Sequence, residues 1–147
     1  MSRDQDFATT GGGAIEKIPY AECLELLSTE AVGRIAVADF GTAPLVVPVN
    51  FLLDGESIVF RMDFGSKFRL AVLGEQPVSF QVDHLDLGAP AWSVLVQGVA
   101  REIEDQTGRL DLHPWASGNK RHWVRIVPRT ISGRRLRFAP RPDDDGR

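Results

Sequence analysis

Ser57-Ile58-Val59-Phe60-Arg61-Met62-Asp63-Phe64-Gly65-Ser66-Lys67 is the stretch on which the reading of this chain turns. Successive strand side chains alternate, so Ile58, Phe60 and Met62 fall on one face and Ser57, Val59 and Arg61 on the other. The strand ends near a cation, and a glycine-containing turn follows. Ser66 then caps a helix expected over residues 67–73, with Gly74 and Pro77 beyond its end. Arg61, the Ser66 hydroxyl, the Lys67 ammonium and free N–H groups at the helix start come within reach of one point. A phosphate suits such a point. Ser66 can serve both as cap and as ligand contact, because a hydroxyl donates while it accepts.

Just upstream lies Pro44-Leu45-Val46-Val47-Pro48-Val49-Asn50-Phe51. Residues 45–53 read as a strand apolar on both faces, as in the middle of a barrel. Pro48 has no N–H for a ladder, so it demands a bulge or an unpaired edge. Either would release backbone groups around Val47, Pro48, Val49 and Asn50 for a ligand. Asp54-Gly55 then marks a hairpin turn between this strand and the next.

Working outward, Tyr20, Cys23, Leu24 and Leu27 recur with helical spacing after Pro19, which predicts a short helix. Residues 34–39 read as a strand and Gly41 as a turn. Val78, Phe80 and Val82 alternate with polar neighbours, as in a half-buried strand. Residues 92–103 read as a long strand bent or bulged at Gly98. Residues 105–112 suit a short helix and 113–120 a loop. Residues 123–127 and 130–138 read as a closing pair of strands. The sum is a mainly β chain: a six- to seven-stranded antiparallel split β-barrel with two or three short helices. Residues 1–13, with Gly11-Gly12-Gly13, read as a disordered leader, 14–139 as one domain and 140–147 as a flexible tail.

A chain of 147 residues with 43% hydrophobic and 25% charged side chains has enough apolar content for one core. No apolar run approaches the roughly 20 residues that span a bilayer. Residues 1–13 carry Asp4 and Asp6 and lack a signal-peptide core, so a cytoplasmic location is expected. Cys23 is the only cysteine; it excludes an internal disulfide and reads as a packed small hydrophobe. His84, His113 and His122 have no metal-ligand spacing, and no metal is expected. No Gly-x-Ser-x-Gly element is present, and no side chain is assigned as a catalytic acid or base. Residues 112–142 contain no carboxylate side chain and eight Lys and Arg, a surface suited to solvent, a partner subunit or an anionic ligand. The basic residues are not interleaved with exposed aromatics beyond Trp123 and Phe138, which argues against nucleic acid.

These segments in this order resemble the pyridoxamine 5′-phosphate oxidase-like family of FMN-binding split barrels. The likeness runs from Ile18 to Leu136. It rests on Gly33-Arg34-Ile35-Ala36-Val37, Pro48-Val49-Asn50-Phe51, Phe60-Arg61 with Gly65-Ser66-Lys67, Trp92-Ser93-Val94-Leu95-Val96-Gln97-Gly98, Pro114-Trp115-Ala116, and Arg125-Ile126-Val127-Pro128 with Gly133-Arg134-Arg135-Leu136. The resemblance implies a homodimer holding FMN in interface clefts. Arg61, Ser66 and Lys67 would hold the phosphate, and the backbone of residues 47–50 would line the ring. Trp92, Ser93 and Trp115 lie in regions that reach the cofactor in such proteins. Met62 stands where a threonine is common in the family. Arg135-Leu136-Arg137-Phe138-Ala139 lacks the His and Asp with which the authentic oxidase grips its substrate. The chain is therefore similar to the small relatives of actinobacterial type rather than to that oxidase. The implied activity is flavin-dependent hydride transfer to or from a small molecule. The alternatives are a reductase using deazaflavin (F420), with Lys67, Arg69 and the C-terminal arginines as a basic groove, or a flavin-holding protein without turnover.

Overall fold

Asp54 and Gly55 turn the chain back on itself, with Gly55 at a φ of +61° that a side chain would disfavour. The structure is a computed structural model that describes residues 14–39, 41–63, 68, 72–113 and 122–137. Within these residues the order of elements is β1 (Ala14–Ile18), α1 (Tyr20–Ser28), β2 (Val32–Val37), β3 (Leu45–Asp54), β4 (Ser57–Met62), β5 (Pro77–His84), β6 (Ala91–Ile103) and β7 (His122–Arg137). Every pairing is antiparallel. The sheet order is β1-β7-β4-β3-β2-β5-β6, and β6 also pairs with β7. Strands β2 to β7 thus close a six-stranded barrel, and β1 is added along the second half of β7. This is the expected split barrel, and closure leaves little open sheet edge.

Alternation along the strands supplies the core. Ile58, Phe60 and Met62 of β4 point inward with Phe51 of β3, Phe80 of β5 and Trp92, Val94 and Val96 of β6. Phe80 is the hub: its ring lies 5.1 Å from Phe51 at 72° and 6.5 Å from Phe60 at 11°. Each such side chain contributes about 1.5–3 kcal/mol on burial. Gly33 makes room for the hub, since a Cβ there would stand 2.2 Å from the Phe80 ring. One end of the core is covered by α1, which buries Cys23 and Leu27 completely. The Cys23 N–H donates to the Pro19 carbonyl at 3.0 Å and its thiol to the Ile18 carbonyl at 3.6 Å. The Thr29 hydroxyl closes the helix on the Leu26 carbonyl at 2.7 Å.

Four expectations need correction. Residues 123–127 and 130–138 are not two strands: β7 is one 16-residue strand with a register shift opposite Gln97 and Gly98. Pro128, which suggested a break, sits at that bulge, where a missing N–H is tolerated. β1 is an additional strand; four of its five residues are exposed, so it carries little apolar signal. Residues 105–112 form turns instead of a helix. The Thr107 N–H donates to the Asp105 carboxylate at 2.7 Å, and Gly108 takes a φ of +89°. β3 is not buried on both faces: Val46 is 58% exposed. The helix expected over residues 67–73 lies mostly outside the described residues, although Phe68 and Val72 are helical and join the core. The leader (residues 1–13) and residues 140–147 also lie outside them. Among the described residues no helix is long and apolar enough to cross a membrane.

Candidate functional site

The β3–β4 ladder runs from the Asp54↔Ser57 pair to Phe51↔Phe60. The next residue of β4 is Arg61, and the next of β3, travelling the opposite way, is Asn50. Beyond this point residues 45–50 pair only with β2 among the described residues. The far side of β3 is therefore a ladder edge, and Pro48 lies within it, opposite Arg34. That satisfies the proline's need for an unpaired side. Val47 and Val49 turn inward against the core, while Val46 and Pro48 are exposed on the outer face. The Asn50 side-chain amide donates to the Ala31 carbonyl at 3.3 Å, and the Phe51 N–H donates to the same oxygen at 3.1 Å. These two bonds fix the mouth of the edge.

Arg61 projects outward from β4 and faces Trp123 across the ladder with β7. Its guanidinium carbon lies 5.0 Å from the indole centroid. Trp123 is itself buried with Val59 and Leu112 in a small outer cluster, supported by Leu52, Ile103 and Leu110. The stacked cation is thus held on a rigid platform, at a gain of roughly 0.5–2 kcal/mol. Asp105 approaches the same platform. Hydrogen bonds from the Thr107 hydroxyl and N–H, the Arg61 charge and the Trp123 side chain hold its carboxyl below the usual carboxylate range. Trp123 and Asp105 were not legible as part of a site, because their closeness to Arg61 depends on the β4–β7 register.

The other sequence-derived candidates are distributed differently. Met62 is 6% exposed and points into the core, because it shares the parity of Ile58 and Phe60. Trp92 is also a core residue, 8% exposed, stacked at 6.2 Å on His84; its side chain does not share the outer face with Arg61. Its parity with Val94 and Val96 explains this. Ser93 faces outward on β6 and accepts a hydrogen bond from the Gln81 amide at 3.3 Å. It lines an open cleft of about 340 Å³ with Gln81, Leu95, Ser132 and Arg134. Ser66, Lys67 and Trp115 lie outside the described residues.

Much of the basic run is committed within the fold. Arg137 pairs with Glu16 of β1 at 3.0 Å, and Arg135 pairs with Glu22 of α1. Arg125 and Arg109 each donate to Asp54 at 2.7 Å, which holds that carboxyl down at about 2. Arg109 thereby ties the turns of residues 105–112 to the β3–β4 hairpin, beside the Arg61 platform. Among the described residues no three His, Cys, Asp or Glu side chains gather as a metal site.

The barrel architecture agrees with what comparison shows. The model of the pyridoxamine 5′-phosphate oxidase family matches residues 19–135. The chain belongs to this family. An uncharacterized protein of Mycobacterium tuberculosis is 36% identical over 97 residues, which cover 63% of this chain and 86% of the relative. Among solved structures, an FAD binding protein from Mycobacterium smegmatis is 33% identical, with 84% of this chain and 100% of that chain covered and a TM-score of 0.67. An FAD-binding protein from Mesorhizobium loti is 28% identical, with 86% and 99% covered and a TM-score of 0.69.

Proposed function

We propose that this chain binds a flavin on the outer face where β3 and β4 part, and that it works as a flavin-dependent oxidoreductase on a small molecule. The observation that carries the reading is the adjacency of two features: a platform-mounted cation, Arg61, and the β3 edge at residues 45–50. The cation suits a phosphate, and an edge of backbone donors and acceptors suits the polar rim of a planar ring. The FAD-binding proteins similar to this chain support a flavin. FMN and FAD share the ring and its first phosphate, and FMN is our choice for this chain. Ser66 and Lys67 would complete the phosphate grip with Arg61.

A bound flavin supplies hydride transfer. The protein's share is to hold the phosphate, orient the ring along β3 and exclude water from one ring face with Val46 and Pro48. A homodimer, with a second copy covering the other ring face, completes the reading. The deazaflavin alternative is less well supported, since Arg135 and Arg137 are paired with Glu22 and Glu16 and are not gathered into a groove.

The visible spectrum of freshly purified protein tests the proposal, followed by identification of the chromophore released on denaturation. Flavin bands and released FMN are expected. Protein that is colourless and takes up neither FMN nor FAD when they are added would overturn the reading.

A further inference from the structure

A β-bulge on the far part of β7 shapes another face of the barrel. In the β6–β7 ladder Gln97 pairs with Thr130, but the next residue, Gly98, pairs with Pro128. Arg129 is therefore the extra residue of a β-bulge. Bulges re-aim side chains, and they recur beside binding sites. Gly98 permits the distortion, because a Cβ there would stand 2.1 Å from the Val127 carbonyl oxygen. The bulge brings Arg129 to the wall of an open groove of about 570 Å³, within the range of small-molecule sites. Most of the remaining wall is apolar, with Ala36, Ala38, Pro44 and Pro77 as its accessible side chains. Thr130 and Gln97 add a hydroxyl and an amide beside the cation, 3.5 Å from each other.

Arg129, like Arg134, differs from the other arginines of β7. Arg125, Arg135 and Arg137 each have a carboxylate partner, whereas Arg129 has none among the described residues. It is also remote from Arg61: Trp123, which faces Arg61, is six residues away along β7, roughly 20 Å by strand rise. An apolar trough with one uncompensated cation and the neutral polar side chains of Ser79, Gln97 and Thr130 is complementary to one kind of molecule.

We propose that this groove binds a small amphiphilic carboxylate, its apolar body against Ala36, Ala38, Pro44 and Pro77 and its carboxylate on Arg129. The site is independent of the flavin reading and would survive its failure.

Phenylbutyrate and the uncharged phenylbutanol are suitable probes, titrated into the isotope-labelled full-length protein and followed by amide NMR. Phenylbutyrate is expected to bind saturably and to shift the amides of Ala36, Val78, Gly98 and Arg129. Phenylbutanol should bind about ten-fold more weakly or worse. Arg129→Gln, at an exposed position, should reduce phenylbutyrate to the level of the alcohol, and Arg129→Lys should retain part of the preference. Equal binding of acid and alcohol, unchanged binding by Arg129→Gln, or shifts confined to other surfaces would overturn the proposal. So would shielding of the groove amides from a soluble paramagnetic agent in the free protein, which would place a second copy there instead.

Discussion

Arg61 and Trp123 face each other across the β4–β7 ladder, the guanidinium carbon 5.0 Å from the indole centroid. A long, flexible cation is held in one place before any ligand arrives, which reduces the ordering cost of binding. Asp105 lies close enough for the Arg61 charge to lower its carboxyl, so a carboxylate sits within the field of the proposed phosphate anchor.

Asp105 and a bound phosphate therefore compete for Arg61. Asp105→Asn should tighten FMN binding by about two- to five-fold at low ionic strength, with the gain shrinking as salt is added. Fluorescence titration at two salt concentrations checks this; weaker binding by the variant would show that Asp105 helps the site instead.

Asp54 predicts a pH dependence of stability. Its carboxyl is lowered from 3.8 to about 2 by its bonds to Arg109 and Arg125. A depressed native value means that the stabilisation is fully present above the unfolded value and is lost as pH falls through the native one. The window is thus about pH 4 down to pH 2. Allowing for screening of the half-exposed Arg109, the contribution is about 1–2 kcal/mol. Asp54→Asn should lower the melting temperature at neutral pH and flatten its fall below pH 4, as measured by circular dichroism. Parallel curves for variant and wild type would disprove this contribution.

Gly33→Ala should be costly. The new methyl would overlap the Phe80 ring, the closest approach being 2.2 Å, and Phe80 is locked between Phe51 and Phe60. A loss of about 1–3 kcal/mol is expected in denaturant unfolding. Wild-type stability would mean that the aromatic hub can shift.

Where the sequence reading succeeded, the signal was local. Alternation in β4 and β5 separated their two faces correctly, and Pro48 pointed to the edge that β3 presents among the described residues. Its failures have local causes too. β1 is an exposed add-on strand stabilised by β7, so little of its burial shows in its own residues. Pro128 resembles a strand end unless the opposing Gly98 is known to accept a bulge. The side chains of Trp92 and Met62 point into the core, as their parity with Val94 and Phe60 requires. Trp123 and Asp105 could not be found, because a contact between β4, β7 and a turn is fixed by register and closure, and neither has a sequence signature.

The central claim is that Arg61 grips the flavin phosphate at the parting of β3 and β4. Comparing FMN with riboflavin, which lacks the phosphate, in wild type and Arg61→Ala isolates that contact. Wild-type protein should prefer FMN, and Arg61→Ala should lose about ten- to a hundred-fold of FMN affinity, corresponding to roughly 1.5–3 kcal/mol, with riboflavin binding little changed. An FMN preference that survives intact in Arg61→Ala would contradict the account.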